Sequence, residues 1–259
     1  MGFWSSIFSV EVDVPSAVPT TIWTRLHAIW TAVWAILVTV FVGGTGLAIY
    51  LVRTRPRVYF RWLRRWGRVI CWGIGVRIEP RGTVPEDSGG PLILVANHQC
   101  ALDIPVHAAV IDRPFGYLAK EALRHTPLFG FFLRKIPTVF VDRRTPRRAK
   151  RSLQDAAERI ESGQTVLIYP EGERTFAPEM APFLRGAFVL AIRSGVPVVP
   201  LVLTDAYRLM DERALRSRPG TVHVRILDAI PTDGRDGNEM EELQAEVRAA
   251  MEDALGEDA

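Results

Sequence analysis

The chain has 259 residues, of which 48% are hydrophobic and 24% charged, and its net charge is +3. These proportions allow one large α/β domain plus an N-terminal appendage, and they argue against global disorder. The two cysteines, Cys71 and Cys100, cannot build a disulfide framework, and there is no CxxC pair to hold a metal.

The N-terminal third is the most apolar part. The 25 residues from Ala28 to Val52 contain no charge, and about 20 apolar residues suffice to cross the hydrocarbon of a bilayer. An apolar helix is therefore predicted over 28–52. Arg25 precedes the run and Arg53, Arg55 and Arg57 follow it, a bias that places the rest of the chain on the cytoplasmic side. Gly43, Gly44 and Gly46 interrupt the run, so a single crossing and a short re-entrant hairpin both fit.

A second, amphipathic helix is predicted over 57–72. Tyr59, Trp62, Leu63, Trp66, Val69 and Ile70 recur at helical spacing, and Arg57, Arg61, Arg64, Arg65 and Arg68 fall largely elsewhere. That pattern suits the headgroup layer, and it also suits a helix that caps a soluble core. All seven tryptophans lie at or before Trp72. Residues 1–72 are accordingly read as a membrane-anchoring region and 73–259 as the α/β domain.

Beyond Trp72, short apolar strands alternate with helices. Strands are expected at GVRIEP, PLILVAN, GYLAK, TVFVD, TVLIYP, VPVVPLVL and TVHVRIL. Helices are expected at about 102–112, through LFGFFLRK, at 146–162 and at 183–194. A last helix carries Met240, Leu243, Val247, Met251 and Leu255. This alternation predicts a largely parallel mixed sheet flanked by helices, with the chemistry at the carboxyl ends of the strands.

Two motifs fall at such ends. In NHQCALD, His98 is the side chain suited to take a proton near neutral pH. Asp103, five positions on, can reach the other ring nitrogen and fix the tautomer. The motif contains no serine, so the pair reads as a device that activates an incoming hydroxyl. A capped helix N-terminus would look the same. Cys100 invites a covalent mechanism, although a small buried thiol is its commoner role. His107 and His125 show no metal-ligand spacing with His98 and Asp103.

In YPEGERTF, Pro170 and Gly172 force a turn from which Glu171 and Arg174 project, and arginine matches a phosphate geometrically. Further cations fall near the same edge: Lys120, Arg143, Arg144 and Arg185. The run RRTPRRAKR has no nucleic-acid-binding fold around it, so no nucleic-acid partner is expected.

Taken together and in this order, these segments resemble the glycerolipid acyltransferase superfamily, most nearly the 1-acyl-sn-glycerol-3-phosphate acyltransferases. The resemblance covers Trp62 to Leu203 and rests on four blocks. They are Asn97, His98 and Asp103; VFVDR at Val139 to Arg143; Pro170, Glu171, Gly172 and Arg174; and VPVVP at Val196 to Pro200. FLRGA, Phe183 to Ala187, resembles a further element. Glu173 stands where the family usually has threonine, and Cys100 where serine is frequent.

The resemblance implies a membrane acyltransferase with its catalytic domain facing the cytoplasm of a bacterial inner membrane. Its substrates would be a lysophospholipid and an acyl thioester, carried by coenzyme A or acyl carrier protein, with no other cofactor. It implies His98 as base and Asp103 as its orienting partner. Lys120, Arg174 and Arg143 would hold phosphate. Glu171 and Gly172 would shape the acceptor pocket, with Arg185 nearby. Transfer to another acceptor and a non-catalytic membrane-surface role are the alternatives.

Overall fold

The structure, a computed structural model, describes residues 14–53, 56–86, 89–126, 129–142 and 144–257. Seven strands form one sheet: β1 (Val76–Arg81), β2 (Ile93–Ala96), β3 (Gly116–Lys120), β4 (Val139–Val141), β5 (Val166–Ile168), β6 (Val198–Thr204) and, after a small hairpin, β9 (Gly220–Ile226). The order is β1-β9-β6-β2-β5-β3-β4. Neighbours pair in parallel except β6 and β9, which are antiparallel. The expected mixed sheet is therefore observed.

Helices cover both faces of the sheet, so both sets of alternating side chains are buried and the central strands read as unbroken apolar runs. Ile93 and Val95 face one layer with Val166, Ile168, Val198 and Val202. Leu94 and Ala96 face the other with Leu167, Val199 and Leu201. The first layer is closed by α6 (Pro146–Glu161), α7 (Gly186–Ser194) and α9 (Met240–Gly256). Helix α6 starts at a Thr145 cap with Pro146 in its first turn, where proline's missing N–H costs nothing. Helix α4 (Asp103–Val110) and the N-terminal helices cover the opposite face.

Helix α1 (Ile22–Val38), a π-helical turn (Thr39–Gly43) and α2 (Gly44–Arg53) run on without a break. The apolar run thus passes through its glycines as helix and forms no internal hairpin. The helix begins six residues before 28 because Thr21 and Thr24 make a reciprocal capping box. Helix α3 (Pro56–Gly73) turns back along it. Trp30 Nε1 donates to Gly73 O (2.8 Å), Trp34 Nε1 to Val69 O (3.0 Å) and Trp66 Nε1 to Thr39 Oγ1 (3.0 Å). Gly67 permits close approach of α3 to α4, since a Cβ there would collide with Pro105 O and Ala109 N.

Between β6 and β9 the chain makes elements too short for periodicity to reveal: α8 (Ala206–Leu209) and a hairpin of β7 (Met210–Asp211) and β8 (Arg216–Ser217). This hairpin meets α1. Ser217 Oγ lies 2.7 Å from His27 Nδ1 and 3.1 Å from Thr31 Oγ1. The other flank of α1 is an exposed apolar stripe of Ile22, Leu26, Ile29, Val33, Ile36 and Leu37, continued by Val40 and Phe41 of the π-helical turn. Helix 22–49 is long and apolar enough to cross a membrane.

Candidate active site

His98 leaves the carboxyl end of β2 just after Asn97, whose amide extends the sheet. Asn97 Nδ2 donates to Leu203 O (2.8 Å) and Leu203 N donates to Asn97 Oδ1 (2.7 Å). The turn is thereby pinned to β6. Asp103 opens α4 and is wholly buried. Its Oδ2 accepts from His98 Nδ1 (2.6 Å), Gln99 N (2.6 Å) and Cys100 N (3.0 Å). Three donors on one carboxylate oxygen fix the anion, and the anion fixes the ring. The helix-cap reading does not hold: Leu102 caps α4 without a side-chain bond, and the two backbone N–H groups that Asp103 gathers, Gln99 and Cys100, lie before the helix. Nε2 has no partner among the described residues, and His98 lines a cavity of about 900 Å³.

That cavity is walled by three groups of residues. Ala32, Ala35, Ile36, Trp62, Trp66 and Ile70 of the N-terminal helices supply an apolar wall. Leu118 of β3 and Phe132 and Leu133 of α5 (Phe129–Lys135) extend it. Lys120, Gly172, Glu173, Arg174 and Glu212 supply the polar part.

Gly172 makes the turn after β5 with φ +75, a conformation that costs glycine nothing. Arg174 Nη1 bonds Glu212 Oε1 at 2.8 Å, and Lys120 pairs with Glu173. Both cations thus carry a carboxylate of this chain. Glu212, on the β7–β8 hairpin, lies in a segment for which the sequence offered no pattern. Its signal was a carboxylate in a stretch already rich in charge, DAYRLMDER.

The other expected residues fall differently. Glu171 does not line the cavity and is 7% exposed. Its two oxygens accept from His98 N (2.6 Å) and Ala181 N (2.7 Å), so it braces the His98 turn from behind. Burial pushes its carboxyl up to about 7, against the pull of those two N–H groups. Arg185 points to α9, where it pairs with Glu241, and it does not line the cavity. Arg143 lies outside the described residues. Arg144 forks onto Asp142, which it holds well below the usual carboxylate range.

Cys100 is fully buried, its Sγ 3.8 Å from Asp103 Oδ1. Burial, with that anion beside it, pushes the thiol well above its ordinary value. It is thus the inert, packed thiol. His107 is bonded to the Tyr169 hydroxyl, and His125 is exposed.

A family model described as Acyltransferase matches residues 76–204. The chain is 32% identical over 170 residues to a 1-acyl-sn-glycerol-3-phosphate acyltransferase of Saccharomyces cerevisiae, covering 64% of this chain and 56% of the relative. It is 28% identical over 245 residues to one from Pseudomonas aeruginosa, covering 90% and 93%. The crystal structure of the 1-acyl-sn-glycerophosphate acyltransferase PlsC from Thermotoga maritima superposes with a TM-score of 0.80 at 25% identity, over 91% of this chain and 96% of that one. The chain spans about three-fifths of the length of several of the curated relatives it matches, the Saccharomyces cerevisiae one included.

Proposed function

We propose that this chain, which belongs to the glycerolipid acyltransferase family, transfers a fatty acyl group from an acyl thioester to the sn-2 hydroxyl of 1-acylglycerol 3-phosphate, giving phosphatidic acid. The reading is carried by one observation: a single cavity holds the His98–Asp103 pair, two cations suited to phosphate and an apolar wall suited to an acyl chain.

His98 Nε2 takes the proton of the acceptor hydroxyl as its oxygen attacks the thioester carbonyl. The tetrahedral oxyanion collapses, the carbon–sulfur bond breaks, and the imidazolium returns its proton to the departing thiolate. Asp103 stays ionised and steadies the imidazolium. General-base help of this kind is worth about 10²–10⁴-fold, and the remainder comes from holding both substrates in register. Lys120 and Arg174 exchange their carboxylate partners for the acceptor phosphate. The donor is acyl-CoA or acyl carrier protein, and the reaction as written needs no further cofactor.

The exposed stripe of α1 faces lipid, so the acyl chains of both substrates pass from bilayer to cavity without crossing water. Each exposed CH₂ would otherwise cost about 0.8 kcal/mol. The catalytic domain faces the cytoplasm of a bacterial inner membrane, as the Arg53 flank favours.

The test is an assay of purified protein for thiol release and phosphatidic acid. Each donor is paired with 1-acylglycerol 3-phosphate, glycerol 3-phosphate and a lysophospholipid lacking a free phosphate. Preference for 1-acylglycerol 3-phosphate is expected. Faster transfer to either of the other acceptors would reassign the substrate.

A further inference from the structure

Helix α4 directs two residues, four apart and so on one helical face, toward the catalytic histidine. Asp103 engages the ring in its own plane, through the Nδ1–H bond at 2.6 Å. One in-plane bond fixes the direction of the ring and leaves it free to tilt about that bond.

Tyr169 removes the tilt. It follows β5, and its ring stacks on His98 with centroids 4.0 Å apart and planes 16° apart. Stacking alone would let the phenol slide. Its hydroxyl is held at 3.0 Å by Nδ1 of His107, the second residue of the α4 pair.

His107 is fully buried, and burial pushes its imidazole down to about 4, so it is neutral when the site works. A charged ring there would oppose the imidazolium that forms on His98. Its Nε2 has no partner among the described residues. A leucine would pack this position without leaving a buried nitrogen unsatisfied, so packing alone does not account for the histidine.

We infer that Tyr169 and His107 are a positioning pair: His107 anchors Tyr169, and Tyr169 sets the plane of His98 so that Nε2 meets the acceptor hydroxyl. The inference rests on His98 being the base. Asp103 and His107 then act on the same imidazole from one helix, the first directly and the second through the phenol.

The test uses the full-length protein with Tyr169→Leu, Tyr169→Phe, His107→Leu and His107→Gln, each checked for an unchanged melting profile. Tyr169→Leu should lower kcat roughly 100-fold, the scale of a misplaced catalytic group, with KM for both substrates within about twofold. Tyr169→Phe and His107→Leu should each cost several-fold, and together no more than either alone, because they break one link. His107→Gln, which can still bond the hydroxyl, should recover most of the His107→Leu loss.

A readout independent of turnover is the downfield proton resonance of the His98–Asp103 bond, which should broaden in Tyr169→Leu and stay sharp in Tyr169→Phe. Wild-type kcat in folded Tyr169→Leu, losses confined to KM, or additive Tyr169→Phe and His107→Leu effects would each overturn the pair. So would a sharp resonance in Tyr169→Leu. An undiminished rate in His98→Ala would instead overturn the base assignment, and the resonance would still decide on the pair.

Discussion

Arg174 holds the carboxylate of Glu212 at 2.8 Å, and Glu212 reaches on to the backbone N–H of Ala101 at 3.4 Å. A cation from the turn after β5 is thus aimed by a residue of the small hairpin and tied to the turn that carries His98. In the proposed reaction the acceptor phosphate takes the place of Glu212 on that guanidinium.

Arg174→Ala should raise KM for 1-acylglycerol 3-phosphate by roughly 10–100-fold, the worth of a charge-assisted bond, with kcat within a few-fold. Acceptors without phosphate should change little. Steady-state kinetics with a phosphorylated and an unphosphorylated monoacylglycerol decides this. Equal losses for both would remove the phosphate role.

His98→Ala should reduce transfer by about 10²–10⁴-fold while membrane attachment and fold persist. Asp103→Asn should also lower kcat severely, because an amide cannot accept from three donors as the carboxylate does. Circular dichroism and sedimentation with vesicles provide the controls. A substantial residual rate in His98→Ala would rule out the base.

Glu171 gives a pH signature with a definite sign. Its carboxyl is raised from 4.5 to about 7 by burial, so the fold binds that proton more tightly than the unfolded chain. Its contribution to stability is therefore complete below about 4.5 and is lost as the pH climbs to about 7. Urea melts at several pH values should show wild type losing up to ~3 kcal/mol relative to Glu171→Gln over that window. A difference that does not vary with pH would contradict the raised carboxyl.

The exposed stripe of α1 predicts that Ile29→Glu or Val33→Glu weakens partitioning into vesicles at least tenfold, since each removes apolar area from lipid and puts a charge there. Soluble activity on a short-chain acceptor should survive. Flotation assays read the first effect, and unchanged flotation in the double variant would place the lipid-facing surface elsewhere.

Much of this was legible because strands buried on both faces read as unbroken apolar runs. Ile93–Ala96 and Val198–Thr204 are buried throughout, and NHQCALD follows the first of them directly. What escaped reading depends on pairings across long sequence distance. The reversal of β9 beside β6 has no local marker. Glu212 meets Arg174 across 38 residues on a hairpin whose strands are two residues each. Arg185 sits in a motif at the right edge, yet it caps α7 and its guanidinium pairs with Glu241 of α9. The resemblance gave Glu171 a place in the acceptor pocket, whereas the two N–H groups behind it draw its side chain inward.

Gly67 lets α3 and α4 touch backbone to backbone, and α4 begins with Asp103. Trp30 and Trp34 tie α1 to α3, so with the exposed stripe of α1 in lipid, as proposed, the depth at which α1 settles sets the height of the imidazole relative to the hydrocarbon. A glycerol hydroxyl resting at that level is already at reach. One seated deeper or shallower must be dragged along the bilayer normal before any bond can form, so geometry relative to the leaflet becomes a selection rule in its own right.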